Sequence, residues 1–135
     1  KPSSPKFWEK AMNNASRTGA AGEEFTADRL KQRGYRIVAR NYHTRYGELD
    51  IIAASQKYIV FVEVKTRLPS AVSEPETFVT SSKQKKLVKA ALLYLQKFPT
   101  NLQPRFDVAG VTMDHSGCVT GFHYLANAFG GKELF

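Results

Sequence analysis

The stretch Ile59-Val60-Phe61-Val62, followed by Val64, leaves neither face of a strand polar. A strand that is apolar on both faces has to be covered on both, so this one is expected at the centre of a sheet with helices on either side. The rest of the chain supplies those layers. Thr18 to Gln32 has helical composition, and Gly34 is placed to close it. Tyr35–Tyr42, Gly47–Ala54 and Tyr58–Thr66 read as three strands, and Pro69 to Pro75 as a breaker-rich loop. A second helix is predicted over Ser81–Phe98, capped by Thr80 or Ser81 and stopped by Pro99. Its inner stripe is Leu87, Ala91, Tyr94 and Phe98. Arg105–Met113, a turn at Asp114-His115-Ser116-Gly117, and Val119–Leu125 form a C-terminal hairpin.

The order α-β-β-β-α-β-β predicts an α/β domain, a mixed sheet flanked by two helices. The long second helix is a natural crossover for a parallel strand pair. Residues 17–135 are expected to form this single domain. Residues 1–16 read as a flexible N-terminal arm, in which Trp8 either stacks on a base or docks on protein.

Twenty Lys and Arg against twelve Asp and Glu give a net charge of +8, which suits a polyanionic partner. The single cysteine, Cys118, excludes an internal disulfide and a cysteine-based zinc cluster. No apolar run reaches the ~20 residues of a membrane span and no secretory signal is read, so a cytoplasmic protein without membrane association is expected.

Against this background Glu63 and Lys65 stand out. They are two apart in the most apolar strand and so share a face. An ordinary ion pair at a strand end would explain them, and the tripeptide Glu63-Val64-Lys65 is weak on its own. Asp50 adds weight, because it lies in another apolar strand with twelve residues between it and Glu63. A two-residue turn at Gln56-Lys57 sets Asp50 directly opposite Glu63, with β-carbons about 4.5–5.5 Å apart. A slip of one residue would separate them. Two adjacent carboxylates repel unless a proton or cation lies between them, and carboxylates with water and phosphate describe a Mg²⁺ site. In this reading Asp50 and Glu63 hold Mg²⁺ or Mn²⁺, with the Val64 carbonyl a further ligand. Lys65 then orients the attacking water and neutralises charge developing on phosphorus.

Glu23 shares a helix face with Gly19, Ala27 and Leu30. It is either solvated near the helix end or aimed at the site, where it would reach a metal directly or through water. Glu48 shares a strand face with Asp50 and is its rival as ligand, with a hydrogen-bonding role favoured. Asp107 suits an ion pair with Arg105 at least as well as a functional role. Lys83 precedes Leu87 by one helical turn and so points to the packed side; with Arg67 and Arg45 it is expected to contact nucleic acid. His43, His115 and His123 are too scattered for a ligand cluster and receive no role.

Together, Gly22-Glu23-Glu24, Gly34-Tyr35-Arg36-Ile37, Arg40-Asn41-Tyr42, Gly47 to Ala53, Val60 to Arg67, Arg105-Phe106-Asp107-Val108 and Asn127-Ala128-Phe129 resemble the YraN family of small bacterial proteins. The likeness runs from about residue 17 to 129. That family resembles the PD-(D/E)XK, or restriction-endonuclease-like, nucleases and in outline the archaeal Holliday-junction resolvases. The resemblance implies an αβββαβ core, with Asp50, Glu63 and Lys65 at the motif positions and Glu23 at the first-helix glutamate. It implies a metal-dependent endonuclease acting on DNA, branched or single-stranded, as a monomer or homodimer. The alternative is a nuclease-like fold that grips nucleic acid or a repair partner without cutting.

Overall fold

The computed structural model describes the backbone of residues 7–69 and 78–130, and the side chains of 19–69 and 78–130. The expectations for residues 1–6, the Trp8 side chain and the loop beyond Pro69 lie outside these residues. The elements are α1 (Phe7–Gln32), β1 (Arg36–Thr44), β2 (Gly47–Ala54), β3 (Tyr58–Arg67), α2 (Ser81–Lys97), β4 (Gln103–Met113) and β5 (Val119–Phe129). They build the expected mixed sheet with two helices, in the order β1-β2-β3-β4-β5. The αβββαβ core and the closing hairpin are both present. No described helix is long and apolar enough to cross a membrane.

The first helix starts at Phe7, well before Thr18, in the segment read as an arm. Glu9-Lys10-Ala11-Met12 are strong helix formers and neither Pro nor Gly interrupts residues 7–18, so local propensity favours continuation. At its other end Gly34 adopts φ 91°. There Tyr35 N donates to Leu30 O (3.0 Å) and Gly34 N to Lys31 O (3.0 Å), a Schellman closure.

β3 is central and apolar on both faces, as its sequence requires. Ile59 and Phe61 join the cluster under α2, with Leu87, Ala91, Tyr94 and Phe106. Val60 and Val62 join the cluster under α1, with Ala27, Leu30, Ile51 and Ala53. β3 pairs antiparallel with β2 and parallel with β4, so α2 is the crossover between parallel strands.

Gly22 sets how closely α1 approaches β3. A β-carbon there would sit 2.0 Å from Thr66 Oγ1 and 3.2 Å from Thr66 Cβ. Gly22→Ala is therefore expected to destabilise the domain by about 1–3 kcal/mol from overpacking, less up to ~1 kcal/mol regained in helix propensity. Thr66 Oγ1 is buried without a hydrogen-bond partner, so Thr66→Ala should cost little alone and rescue Gly22→Ala. Urea melts of the two single variants and the double variant check this.

Candidate active site

The β2–β3 register decides whether the two acids meet. Ser55 N donates to Tyr58 O (2.9 Å), leaving Gln56 and Lys57 as the two turn residues. Ala54 pairs with Ile59, Ala53 with Val60, Ile52 with Phe61 and Ile51 with Val62. The next position in that register sets Asp50 opposite Glu63. Alternation from Phe61 sends Glu63 and Lys65 to the α2 side of β3. The carboxyl groups of Asp50 and Glu63 come within hydrogen-bonding reach of each other, and Val64 N donates to Asp50 Oδ2 at 2.8 Å.

Burial, and then the negative charge of Glu63, push the Asp50 carboxyl up from its ordinary 3.8 to about 8. The amide of Val64 works against the shift without overcoming it. Between about pH 4 and pH 8 the folded, metal-free chain thus binds more protons at Asp50 than the unfolded chain. Its stability is expected to fall as pH rises through that window, by up to about 1.4 kcal/mol per pH unit, and to level off above it. Glu23 is raised by burial as well, which adds a change of the same sign. Urea midpoints measured in EDTA from pH 5 to pH 9 check the slope.

Cations already contact the site. Lys83 Nζ lies 3.2 Å from Glu63 Oε2, the carboxylate side chain being only 10% exposed. Lys65 Nζ donates to the carbonyl of Phe78, just before α2. Thr80 caps that helix by accepting from Lys83 N (3.2 Å). Glu63, Lys65, Val79, Thr80 and Lys83 line an open cleft of about 210 Å³. The sheet, the lysines and the start of α2 converge there.

Glu23 comes from α1 and acts on the pair through its charge. Asn41, with its amide nitrogen turned toward the acids, donates to Glu23 Oε1 (3.1 Å) and Glu48 Oε1 (3.0 Å). Glu48 thus takes the hydrogen-bonding role, and His43 Nδ1 lies 3.1 Å from its Oε2. Sequence reasoning gives His43 no role and meets Asn41 only within the family resemblance. Asn41 holds φ 52°, a left-handed value rare within a strand, and no spacing rule marks an asparagine in a strand pattern as such a bridge. Among the described residues no three His, Cys, Asp or Glu side chains stand together as a ready-made cation cage. The close pair is Asp50 and Glu63, a donor set of hard oxygens that fits a divalent cation completed by water and phosphate.

The other expected contacts are dispersed. Arg67 ends β3, opposite Thr112. Arg45 sits at the β1–β2 turn with its guanidinium over the Tyr46 ring (5.1 Å), and Lys89 lies over the same ring (5.4 Å). Asp107 is fully buried and saturated with donors. Arg105 Nε and Nη2 (2.9 and 2.8 Å), Asn127 N (2.9 Å) and the Tyr124 hydroxyl all donate to it. That is the structural role, an ion pair inside the α1 face of the sheet.

The family described as "Uncharacterised protein family UPF0102" has a model that matches residues 22–111, which span Glu23, Asp50, Glu63, Lys65 and Lys83. A UPF0102 protein of Syntrophomonas wolfei is 42% identical over 112 residues, covering 82% of this chain and 96% of the relative. One of Dictyoglomus thermophilum is 40% identical over 119 residues, covering 87% and 100%. One of Symbiobacterium thermophilum is 46% identical over 96 residues, covering 70% and 81%.

Proposed function

The chain belongs to the UPF0102 family, whose description assigns no activity, and we propose that it is a metal-dependent endonuclease of the PD-(D/E)XK kind, hydrolysing phosphodiester bonds in DNA. The observation that carries this reading is the placement of Asp50 opposite Glu63 with Lys65 two residues on, beside a cleft that also carries Lys83. A structural ion pair needs one acid and one base; here two acids press together where burial and the charge of Glu63 disfavour ionisation of Asp50.

Asp50 and Glu63 would hold Mg²⁺ or Mn²⁺, with the Val64 carbonyl as a further ligand and Glu23 acting through water. When bound, the ion supplies positive charge against the phosphate and makes a water nucleophile available near neutral pH. The chain's own groups do the rest. The Val64 amide fixes the Asp50 carboxylate, and the Phe78 carbonyl fixes the Lys65 ammonium toward the cleft. Lys65 orients the attacking water and offsets the charge that builds on the non-bridging oxygens. Asn41 bridges Glu23 and Glu48, donating to both. Lys83, which lines the cleft beside Glu63, would offer its ammonium to a substrate phosphate. The net charge of +8 suits the polyanion.

Purified protein incubated with branched, single-stranded and duplex DNA plus Mg²⁺ or Mn²⁺ tests the proposal. Metal-dependent product from the wild type, absent from Lys65→Ala, supports it. Equal trace cleavage by both sinks it. The same divalent ions are expected to raise the melting temperature of the wild type at pH 8, since binding at a hundred times Kd adds about 2.7 kcal/mol.

One observation favours a second reading, a module that binds DNA without cutting it. Lys83 is already paired with Glu63, so one of the two carboxylates has a counter-charge without an added ion. Salt-dependent DNA binding that persists in Glu63→Ala, with no product from the wild type, would favour that reading.

A further inference from the structure

The face of the sheet turned away from Glu63 and Lys65 carries a second concavity, of about 220 Å³, between the C-terminal end of α1 and β5. Arg29, Arg33, Tyr35, Arg105, Phe122 and Tyr124 line most of it. Phe122 and Tyr124 stand two apart on β5, on one face, with ring centroids 6.2 Å apart. Arg29 is held over the rings of Phe25 (5.3 Å) and Phe122 (5.5 Å), which meet edge to face.

The cations of this pocket differ in what they are doing. Arg105 is committed, paired with the buried Asp107 and donating to the Tyr35 hydroxyl at 2.9 Å. Arg29 and Arg33 are exposed, one helical turn apart, and make no ion pair among the described residues. A site with aromatic walls and two guanidinium groups outside any described ion pair, that of Arg29 lying on the Phe25 and Phe122 rings, suits a ligand with a flat π face and a negative charge. Its volume lies below the ~300–1,000 Å³ of pockets for whole drug-sized ligands. One base with its phosphate is of the right kind.

We propose that this pocket binds an unpaired nucleotide of a single-stranded nucleic acid, the base against Phe122 and Tyr124 and the phosphate on Arg29 and Arg33. The site uses none of the residues of the carboxylate cleft and stands whether or not that cleft cuts. Stacking explains why it would prefer a strand whose bases are free: in a duplex the faces of the bases are already covered.

Fluorescence anisotropy of the full chain in EDTA, with labelled oligo-dT, oligo-U and a duplex, tests this. Phe122→Ala is expected to weaken oligo-dT binding roughly tenfold, the scale of one lost stacking contact, and to leave duplex binding unchanged. Arg29→Glu/Arg33→Glu, at exposed positions in and just after the last turn of α1, should weaken it at least as much. It should also flatten the salt dependence by about 0.7 per phosphate lost. Oligo-U should respond to the variants in parallel, because stacking on the aromatic rings needs only the face of the base.

Unchanged oligo-dT affinity in the folded charge-reversal variant overturns the proposal. So does wild-type protein that binds polyglutamate as tightly as oligo-dT, or no oligo-dT at all. The variants should retain any metal-dependent hydrolysis of bis(p-nitrophenyl) phosphate. Loss of strand binding in a protein that never hydrolyses that ester supports this pocket and removes the cleavage reading instead.

Discussion

Asp50→Asn is expected to lower metal-dependent DNA cleavage by roughly 10²–10³-fold while making the metal-free protein more stable. The two effects have one cause. Asn keeps the shape of the side chain and can still accept from the Val64 amide, which donates to Asp50 Oδ2 at 2.8 Å. It removes a carboxyl that burial and Glu63 both push away from ionisation. Above about pH 8, where the folded chain has to carry that charge, the variant should therefore unfold at higher urea concentration than the wild type. The same substitution removes half of the close carboxylate pair, and a loss of several kcal/mol of charge stabilisation in the transition state corresponds to the stated fall in rate. The melting-temperature rise with Mg²⁺ should shrink in step. Cleavage assays and urea melts with and without the ion measure all three. A variant that loses stability and activity together would show that Asp50 is a structural group.

Asp107→Ala should do the opposite, removing about 3–5 kcal/mol of stability while leaving the chemistry of the folded fraction intact. Asp107 is fully buried and accepts from Arg105, Tyr124 and the backbone of Asn127. Truncation strands a guanidinium, a phenol and a backbone amide in the interior at once. The environment records how closely the groups are matched. Burial and the negative charge of Asp107 push the Tyr124 hydroxyl well above the usual phenol range, and hydrogen bonding to Asp107 raises Arg105. A small domain has about 5–15 kcal/mol in total, so this one change takes a large share. Asp107→Asn, which keeps acceptor capacity on one oxygen, should cost less. Urea midpoints followed by circular dichroism check the order wild type, then Asn, then Ala.

These two aspartates show what a sequence can and cannot make visible. Asp50 was legible because its partner is near in the chain. A short hairpin with alternating side chains fixes the register by counting from Gln56 and Lys57, and Ser55 and Tyr58 close that turn as the count requires. Likewise the two-sided apolar run of β3 announced a central strand, and Gly34 announced the end of α1. The partners of Asp107 are harder. Arg105 is two residues away and was readable, but Tyr124 and Asn127 come from the next strand. Asn127 itself holds φ 54°, and the β4–β5 ladder shifts register between Phe106 and Val108. A bulge of that kind is set by packing and leaves no periodic trace.

Around the cleft the same division holds. Lys83 was read as facing the packed side, since it precedes Leu87 by one turn, but its ion pair with Glu63 depends on how α2 lies across the sheet. Asn41 joins α1 to β2 through its amide, and Gly22 meets Thr66 because two elements cross closely. None of these follows from local propensity. The start of α1 failed for a different reason. In Phe7 to Ser16 the large apolar residues Phe7, Trp8 and Met12 are few among polar ones, which weakens the signal on which a sequence reading of amphipathic helices depends.

The most direct test of the central claim is anomalous diffraction from crystals soaked in Mn²⁺ at pH 8. The expected result is a single strong peak bonded to carboxylate oxygens of both Asp50 and Glu63, with the Lys83 ammonium withdrawn from Glu63. Full-occupancy soaks with no peak between those two side chains, and Lys83 still paired with Glu63, would contradict it.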